Sequence, residues 1–189
     1  PATIAWAVEV GRNRPQSLAA SWDLLAAVAA RDVAAARMLE PHLDALGILD
    51  QARRGGIDVD LDAVGADASS SWGVYAAEGP GVRLEAVAGA DGWTLTGTKP
   101  WCSLAADLSH ALVTAWVSAD ERRLFALDLR GPGVLARTGP WHARGLRNVV
   151  SAPVDLSGAR AVPVGEAGWY LNRPGFAHGG VGVAACWWG

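Results

Sequence analysis

The sequence predicts an α+β fold, in which helices precede a unit of antiparallel strands and a helical pattern returns at the end. Residues 17–54 are rich in helix formers, with apolar side chains at helical spacing. From Trp72 onward, apolar and polar residues alternate in short runs separated by turn sequences, which is typical of an antiparallel β-barrel or sandwich. From about Glu166 the helical pattern resumes.

These patterns divide the chain into three predicted domains. An N-terminal helical domain occupies 1–70, a β-barrel middle domain occupies 71–165, and the start of a C-terminal helical domain occupies 166–189. The sequence begins with proline instead of methionine and ends inside the apolar run "GVGVAACWWG". We therefore expect it to be part of a longer polypeptide.

The helical segment has recognisable start and stop signals. Ser17 or Ser21 is suited to cap the first helix, and Pro41 is suited to the first turn of a second helix. The pair Gly55–Gly56 is suited to end that helix. The acidic stretch that follows, up to about residue 70, is expected to be a loop.

The β region predicts two hairpins and a final strand. The runs 82–88 and 93–99 alternate on either side of the turn "ADG", and the runs 111–118 and 123–129 alternate on either side of "ADER". The sequence "GPG" then interrupts the chain, and 152–164 is the last predicted strand.

Charge and cysteine content exclude several classes of function. The 16 Lys and Arg residues against 19 Asp and Glu residues give a net charge of -3, with no basic run suited to nucleic acid. No apolar stretch reaches the roughly 18 residues of a membrane helix. Cys102 and Cys186 lie far apart, which predicts a reducing, cytoplasmic setting and no zinc site.

Several isolated motifs are better explained by structure than by chemistry. The stretch 179–185 matches a dinucleotide-binding pattern in spelling, but it lacks the preceding strand that the pattern needs. His142 and His178 each stand alone, so solvated loop histidines are favoured. Cys186 is interpreted as a small core residue, and Trp187–Trp188 as core or subunit-interface packing.

Two stretches join a strand to an irregular turn and place aromatic residues beside small ones: "WGVYAAEGPG" (72–81) and "KPWCSLA" (99–105). A flavin ring needs flat apolar cover, backbone donors at its pyrimidine edge and a hydroxyl partner at N5. Trp101 could cover a face, Ser103 could reach N5, and the amides near Ala76 and Ala77 could meet the polar edge. From spacing alone, a core tryptophan beside a turn serine also explains the second stretch.

The sequence resembles the acyl-CoA dehydrogenase family in three stretches that occur in the family's order. "VYAAEGPG" is similar to the family's Thr-Glu-Pro-Gly segment, and "DGWTLTGTKPWCSLAADLSHALVTA" is similar to its hairpin ending in Gly-x-Lys, an aromatic residue and a hydroxyl residue. "GLRNVVSAPVDLSGARAVPVGEAGWYLNRPGF" is similar to the run that leads out of the family's β-domain. Together the three stretches lie within residues 72 to 189, whereas the helices at 17–54 are compatible with the family but not diagnostic.

The resemblance implies a subunit with a helical domain, a small β-barrel and a C-terminal helical bundle, with FAD between barrel and bundle. It places Tyr75, Ala76 and Ala77 on the flavin-contacting strand. It places Trp101 beside the ring and Ser103 as the hydroxyl that pairs with N5. Ala77 stands where the family often has threonine, so only backbone donors remain at that position.

The implied function is hydride transfer from an acyl thioester, or a related small-molecule substrate, to flavin N5. The family's catalytic base is a carboxylate of the C-terminal bundle, which is expected beyond Gly189, so no catalytic residue is assigned and no metal ligand is predicted. The family also implies a homodimer or homotetramer. The turn "EGPG" departs from the family's Pro-Gly order, and two alternatives stay open: a flavin-dependent monooxygenase of the same fold and a non-catalytic binding or assembly module.

The stretch "GTKPW" contains Lys99, the one lysine in the chain. Because it follows an alternating strand, we expect it to be a strand-end charge that keeps the hairpin tip solvated.

Overall fold

A computed structural model describes residues 2–138 and 141–177. The helices are α1 (Ala2–Arg12), α2 (Leu18–Ala29), α3 (Val33–Arg54), α4 (Trp169–Asn172) and α5 (Pro174–Ala177). The strands are β1 (Trp72–Tyr75), β2 (Leu84–Gly89), β3 (Gly92–Ser103), β4 (His110–Trp116), β5 (Arg122–Asp128), β6 (Val134–Ala136) and β7 (Ser151–Val164). This order of elements agrees with the predicted α+β class.

The two predicted helices exist, but their boundary differs from the prediction. Ser17 caps α2 as expected, and its hydroxyl accepts a hydrogen bond from the N–H of Ala20. The second helix begins at Val33 because the Asp32 carboxylate accepts from the N–H groups of the next turn. Pro41 therefore lies inside α3, so its placement in a first turn was wrong. The stretch expected to be a loop is irregular except for a short 3-10 helix at Leu61–Val64.

The strands close into a barrel. The hydrogen-bonded order is β4, β2, β3, β7 and β5, and β5 pairs back to β4. Strand β1 pairs with the first half of β4, on the edge that β2 meets at its other end, and β6 pairs with β7. Both predicted hairpins are present, since β2 pairs with β3 and β4 pairs with β5 in antiparallel register. Closure leaves no open edge in the ring of five strands.

The predicted antiparallel arrangement is only partly right, because the sheet is mixed. Strand β1 runs parallel to β4 over four pairs, from Trp72 beside His110 to Tyr75 beside Val113. Strands β2 and β4 also meet in parallel, through Glu85 and Trp116. The β2–β3 hairpin lies between β1 and β4 in sequence, so the chain returns to β1 in the same direction. The alternation of apolar and polar residues within a strand does not indicate whether its partner runs parallel or antiparallel, so the parallel pairs could not be predicted from it.

Two apolar clusters pack against the barrel strands, one inside the barrel and one on its outer face. Phe125, Leu95 and Cys102 are fully buried inside the barrel. On its outer face, Leu112 and Leu124 pack with residues of α3 such as Ile48. Strand β4 is consequently buried on both faces, one toward the barrel interior and the other toward α3. The same strand also pairs with β1.

Among the described residues, no helix is long and apolar enough to cross a membrane. The same part of the chain contains no group of three or more His, Cys, Asp or Glu side chains arranged to hold a metal ion. His142 is exposed in the loop before β7. The motif at 179–185, His178, Cys186 and Trp187–Trp188 lie outside the described residues.

Gly97 provides a test of the barrel geometry. It has a φ of 124°, and a Cβ at this position would overlap the carbonyl oxygen of Arg83. We predict that Gly97→Ala lowers the free energy of unfolding by about 2 kcal/mol or more, as measured by urea denaturation. Gly47→Ala is the matched control, because Gly47 lies in α3 with open space around its Cβ position. That change should stabilise the protein by about 0.5–1 kcal/mol, and equal effects of the two changes would contradict the assigned backbone.

His42 links α1 to α3 and provides a second test. The imidazole is 2% exposed, and Gly11 of α1 lies directly against it. Its Nδ1 has no hydrogen-bond partner among the described residues. Burial, together with the charge of Arg14, lowers the pKa of His42 to about 4.

Because the pKa is about 6.5 in the unfolded chain, the unfolded state binds a proton between pH 6.5 and 4 that the folded state does not bind. Stability should therefore fall as the pH is lowered through this window, by about 3 kcal/mol. Urea denaturation at several pH values should show this slope flattened in His42→Gln and retained in the control His142→Gln. Parallel pH profiles for the protein and His42→Gln would assign the slope to another group.

Candidate functional site

Trp101 lies on a β-bulge near the end of β3. The register between β3 and β7 shifts at residues 99–102, where three steps along β3 face two steps along β7. The segment contains Pro100, which has no N–H for the ladder, and Trp101 has a φ of 59° in the left-handed region. A bulge redirects side chains, and here 63% of Trp101 is exposed. The interpretation of Trp101 as a core residue is therefore excluded.

Ser103 ends β3 and is held from three sides. It pairs with Ser151 at the start of β7, and the two hydroxyl groups form a hydrogen bond. The phenol of Tyr75 donates to the Ser103 carbonyl oxygen over 2.9 Å. The next residue, Leu104, donates its N–H to the carbonyl of Val150 over 2.7 Å. The main chain at Ser103, two residues after Trp101, is consequently held in place by contacts with β1, β7 and the loop before β7.

The three residues predicted on the first stretch occupy different environments. Tyr75 is 6% exposed, and its ring lies in the barrel core, where burial raises the pKa of the phenol. Ala76 is half-buried and Ala77 is exposed. The N–H of Ala77 makes no hydrogen bond with the described part of the chain. The side chain of Tyr75 thus supports Ser103 from below, whereas Ala76 and Ala77 reach the surface.

Lys99 is not a solvated strand-end charge, and that expectation was wrong. Its side chain is 1% exposed. The ammonium group donates to Glu78 Oε1 over 2.6 Å, to the Thr114 carbonyl over 2.8 Å and to the Thr114 hydroxyl over 2.9 Å. Three acceptors for the three N–H bonds satisfy the buried charge, so a residue that looked peripheral lies at the centre of a polar network.

Glu78 is the acidic member of this network. Its carboxylate also accepts from Trp116 Nε1 over 3.1 Å and from Arg122 over 3.2 Å. Burial by itself raises the pKa of Glu78, but the hydrogen bond and charge of Lys99, with the Trp116 and Arg122 contacts, outweigh it and hold the pKa below its usual value. The carbonyl of Ala76 accepts from Arg122 over 3.4 Å, so the network also holds the turn that follows β1.

The two sequence stretches singled out above come together in space. Glu78 and Lys99 connect them directly, and a Cβ added to Gly79 would lie 3.0 Å from the ring of Pro100. The turn after β1 therefore packs on the bulge that carries Trp101. This arrangement presents an exposed indole, a serine hydroxyl and an exposed turn backbone on neighbouring segments.

Cys102 lies between Trp101 and Ser103 but points into the barrel, where its exposure is 0%. Burial raises the pKa of its thiol to about 12, and its Sγ donates to the carbonyl of Lys99. The group is a small apolar filler of the core and has no thiolate to offer at neutral pH.

Two concave regions lie on the helical side of the molecule. One, of about 400 Å³, is lined by residues of α2, α3 and α5 and of the segments that flank them, with Trp22, Asp44 and Arg173 among them. The other is a shallow groove of about 640 Å³ beside Trp6, lined by residues of α1, α2 and the start of α3. Neither is lined by the five predicted site residues.

Two contributors to the site were missed in the sequence. Ser151 was missed because its relation to Ser103 depends on strand register over 48 residues. The Lys99–Glu78 pair was missed because a lysine after an alternating strand is usually solvated. One signal for this pair was present in the sequence. Lys99 is the one lysine in a chain whose other basic residues are arginines, and the turn that precedes its hairpin contains Glu78.

Comparisons with known proteins identify the fold. No family model and no curated protein matches the sequence. Among solved structures, TdsC from Paenibacillus sp. A11-2 with FMN and indole superposes with a TM-score of 0.62 at 22% identity, covering 80% of this chain and 41% of TdsC. Glutaryl-CoA dehydrogenase from Mycobacterium smegmatis superposes with a TM-score of 0.62 at 22% identity, covering 85% of this chain and 46% of that protein.

A third solved structure, KijD3 with FMN and a dTDP-linked amino sugar, gives a TM-score of 0.59 at 20% identity. It covers 77% of this chain and 37% of KijD3. The chain thus spans less than half the length of each of these three proteins. It has the acyl-CoA dehydrogenase fold, as the sequence resemblance predicted. At these identities the likeness establishes the fold and not the activity.

The Lys99 network gives the site a direct test. Lys99→Met removes three hydrogen bonds from a buried position and leaves Glu78 with fewer partners. We predict that it lowers the free energy of unfolding by about 3 kcal/mol, as measured by urea denaturation. The matched control is Arg53→Met, whose exposed ion pair with Asp50 should contribute less than about 1 kcal/mol. A cost for Lys99→Met as small as that of the control would show that the network does not hold the turn and the bulge together.

Proposed function

We propose that this chain is the flavin-binding N-terminal and middle part of an oxidoreductase, with a helical domain at 1–70, a barrel domain at 71–165 and the start of a helical bundle at 166–189. The observation that carries the proposal is the exposed indole of Trp101 on its bulge, two residues before Ser103 at the end of the same strand. A large apolar side chain that the backbone turns toward solvent, on the same segment as a polar residue held in place by the fold, is typical of a ligand-binding surface.

The residues fit a flavin ring in their chemistry. Trp101 offers a flat apolar face, and Ser103 offers a hydroxyl to N5. Ala76 and Ala77 belong to the turn after β1, where Ala77 is exposed and its N–H, which makes no hydrogen bond with the described part of the chain, suits the polar edge of the ring. Tyr75 enters this site as the support of the Ser103 backbone. When bound, the flavin would supply acceptance and release of a hydride equivalent.

The proposed cofactor is FAD, which the family resemblance implies. FMN carries the same ring system and is present in the TdsC and KijD3 structures. The contacts named above involve the ring alone, so they suit both. Extraction of the bound flavin by heat, followed by chromatography against FAD and FMN standards, distinguishes them.

The proposed reaction is oxidation of an acyl thioester or a related small molecule, with hydride transfer to the ring beside Ser103. No residue of this chain is assigned as the catalytic base. A homo-oligomeric, cytoplasmic protein is part of the proposal. The second candidate is a flavin-dependent monooxygenase, which the structural likeness to TdsC, a dibenzothiophene monooxygenase, favours.

The test uses the protein expressed from its complete coding sequence. It should purify with a bound flavin or bind added flavin with a change in its visible spectrum. Anaerobic bleaching by acyl thioesters would support the dehydrogenase, and consumption of oxygen by the reduced flavin with hydroxylation of a substrate would support the monooxygenase. A protein that binds neither FAD nor FMN would contradict both flavin-dependent functions and would favour the non-catalytic binding module.

Two substitutions separate binding of the ring from its reduction. Trp101→Ala should weaken flavin affinity by roughly tenfold, because it removes the stacking surface. Ser103→Ala should slow flavin reduction by about tenfold while changing affinity for oxidised flavin by less than about threefold, since a hydrogen bond to N5 matters most as charge develops there. Leu135→Ala, at an exposed apolar residue of β6, is the control for surface truncation. Wild-type affinity and reduction rate in both site variants would contradict the assignment.

A further inference from the structure

Ser103 and Ser151 form a closed donor–acceptor pair at the end of the barrel. Their residues are register partners on β3 and β7, and one hydroxyl donates to the other. Both are half-buried, and Ser103 follows the outward-facing Trp101 by two residues. Neither hydroxyl has another hydrogen-bond partner in the described part of the chain, so within that part each is the other's one hydrogen-bond partner.

The direction of this hydrogen bond decides what Ser103 can offer to a ligand. A serine hydroxyl carries one proton and two acceptor sites. When Ser151 donates to Ser103, the proton of Ser103 is free to bind an acceptor. When Ser103 donates to Ser151, its oxygen is free to accept from a donor. The pair can reverse by rotation of two hydroxyl groups, with no movement of the backbone.

The backbone around Ser103 makes such a reversal feasible without loss of position. The Tyr75 phenol holds the Ser103 carbonyl, and the Leu104 N–H holds the Val150 carbonyl next to Ser151. Both residues of the pair are therefore anchored through their own or adjacent main-chain atoms, and their hydroxyls stay free to turn.

We infer that Ser151 is a positioning residue that lets Ser103 act as donor toward an oxidised flavin and as acceptor toward a reduced flavin. The inference rests on the proposed function. N5 of an oxidised flavin has a lone pair and accepts a hydrogen bond, whereas N5 of a reduced flavin carries a hydrogen and donates one. In the first state Ser151 donates to Ser103, and in the second state Ser151 accepts from it. Ser151 supplies the complementary partner in both.

Loss of Ser151 should affect the two states unequally. In the oxidised state, Ser103 keeps its donated hydrogen bond and loses only a partner for a lone pair. In the reduced state, the proton of Ser103 loses its acceptor, and an unsatisfied donor costs more than a spare lone pair. Removal of Ser151 therefore weakens binding of reduced flavin more than binding of oxidised flavin, which lowers the midpoint potential of the bound flavin.

The experiment measures affinity for oxidised flavin by fluorescence titration and the midpoint potential by equilibration with redox dyes, using the protein from its complete coding sequence. Ser151→Ala should change oxidised affinity by less than about threefold and lower the ratio of reduced to oxidised affinity by about threefold to tenfold. Ser151→Thr retains a hydroxyl and should restore the wild-type ratio. Ser157→Ala, at an exposed serine of the same strand, should leave the ratio unchanged.

A double variant shows whether Ser151 acts through Ser103. Ser103→Ala with Ser151→Ala should have the same affinity ratio as Ser103→Ala alone, because the second change then removes a partner of a group that is absent. A wild-type ratio in Ser151→Ala, or additive effects in the double variant, would overturn the inference while flavin binding stands. Absence of flavin binding in the unaltered protein would overturn the proposed function itself, and the inference with it.

Discussion

The buried ammonium of Lys99 is the interaction on which the geometry of the candidate site depends. A charge that is 1% exposed must be satisfied by the protein, and its acceptors come from two other segments: Thr114 of β4 and Glu78 of the turn after β1. Strand β3 is thereby tied to β4 and to the turn after β1 at the point where its register shifts. The turn after β1 cannot move away from the bulge without leaving this charge unpaired, which gives a surface made of irregular backbone the rigidity that a ligand site needs.

The bulge and the network depend on each other. A regular β3 would place Trp101 in the alternating in–out pattern of the barrel, whereas the additional residue gives Trp101 its left-handed backbone and outward side chain. Lys99 and Cys102, on either side of this residue, are both buried. Lys99 forms its ion pair with Glu78, and Cys102 faces the barrel interior. One strand thus supplies the core, the polar network and the exposed face within four residues.

Much of the fold was predictable because its signals are local. The N-cap at Ser17, the alternation that predicted both hairpins and the last strand, and the order of helical and β segments all agree with the structure. The local signals failed where two rules competed. Pro41 suits a first turn, but the carboxylate of Asp32 starts the helix earlier, and the chain accepts a proline inside α3. Residue types and spacing suggested four of the candidate ring-site residues, and the resemblance added Tyr75. In the structure Ala77 and Trp101 are exposed, Ala76 and Ser103 are half-buried, and Tyr75 is buried.

The sequence by itself predicted most of the elements and their order, though not α1 at Ala2–Arg12, because helix propensity, capping and period-two alternation act over a few residues. Only the tertiary structure decided which strands became partners, and with them the parallel β1–β4 pair, the buried state of Lys99 and the meeting of Ser103 with Ser151. These features join residues 15 to 48 positions apart. Their physical basis is the need to close the barrel and to satisfy every buried polar group at once, a condition on the whole fold that no short stretch of sequence contains.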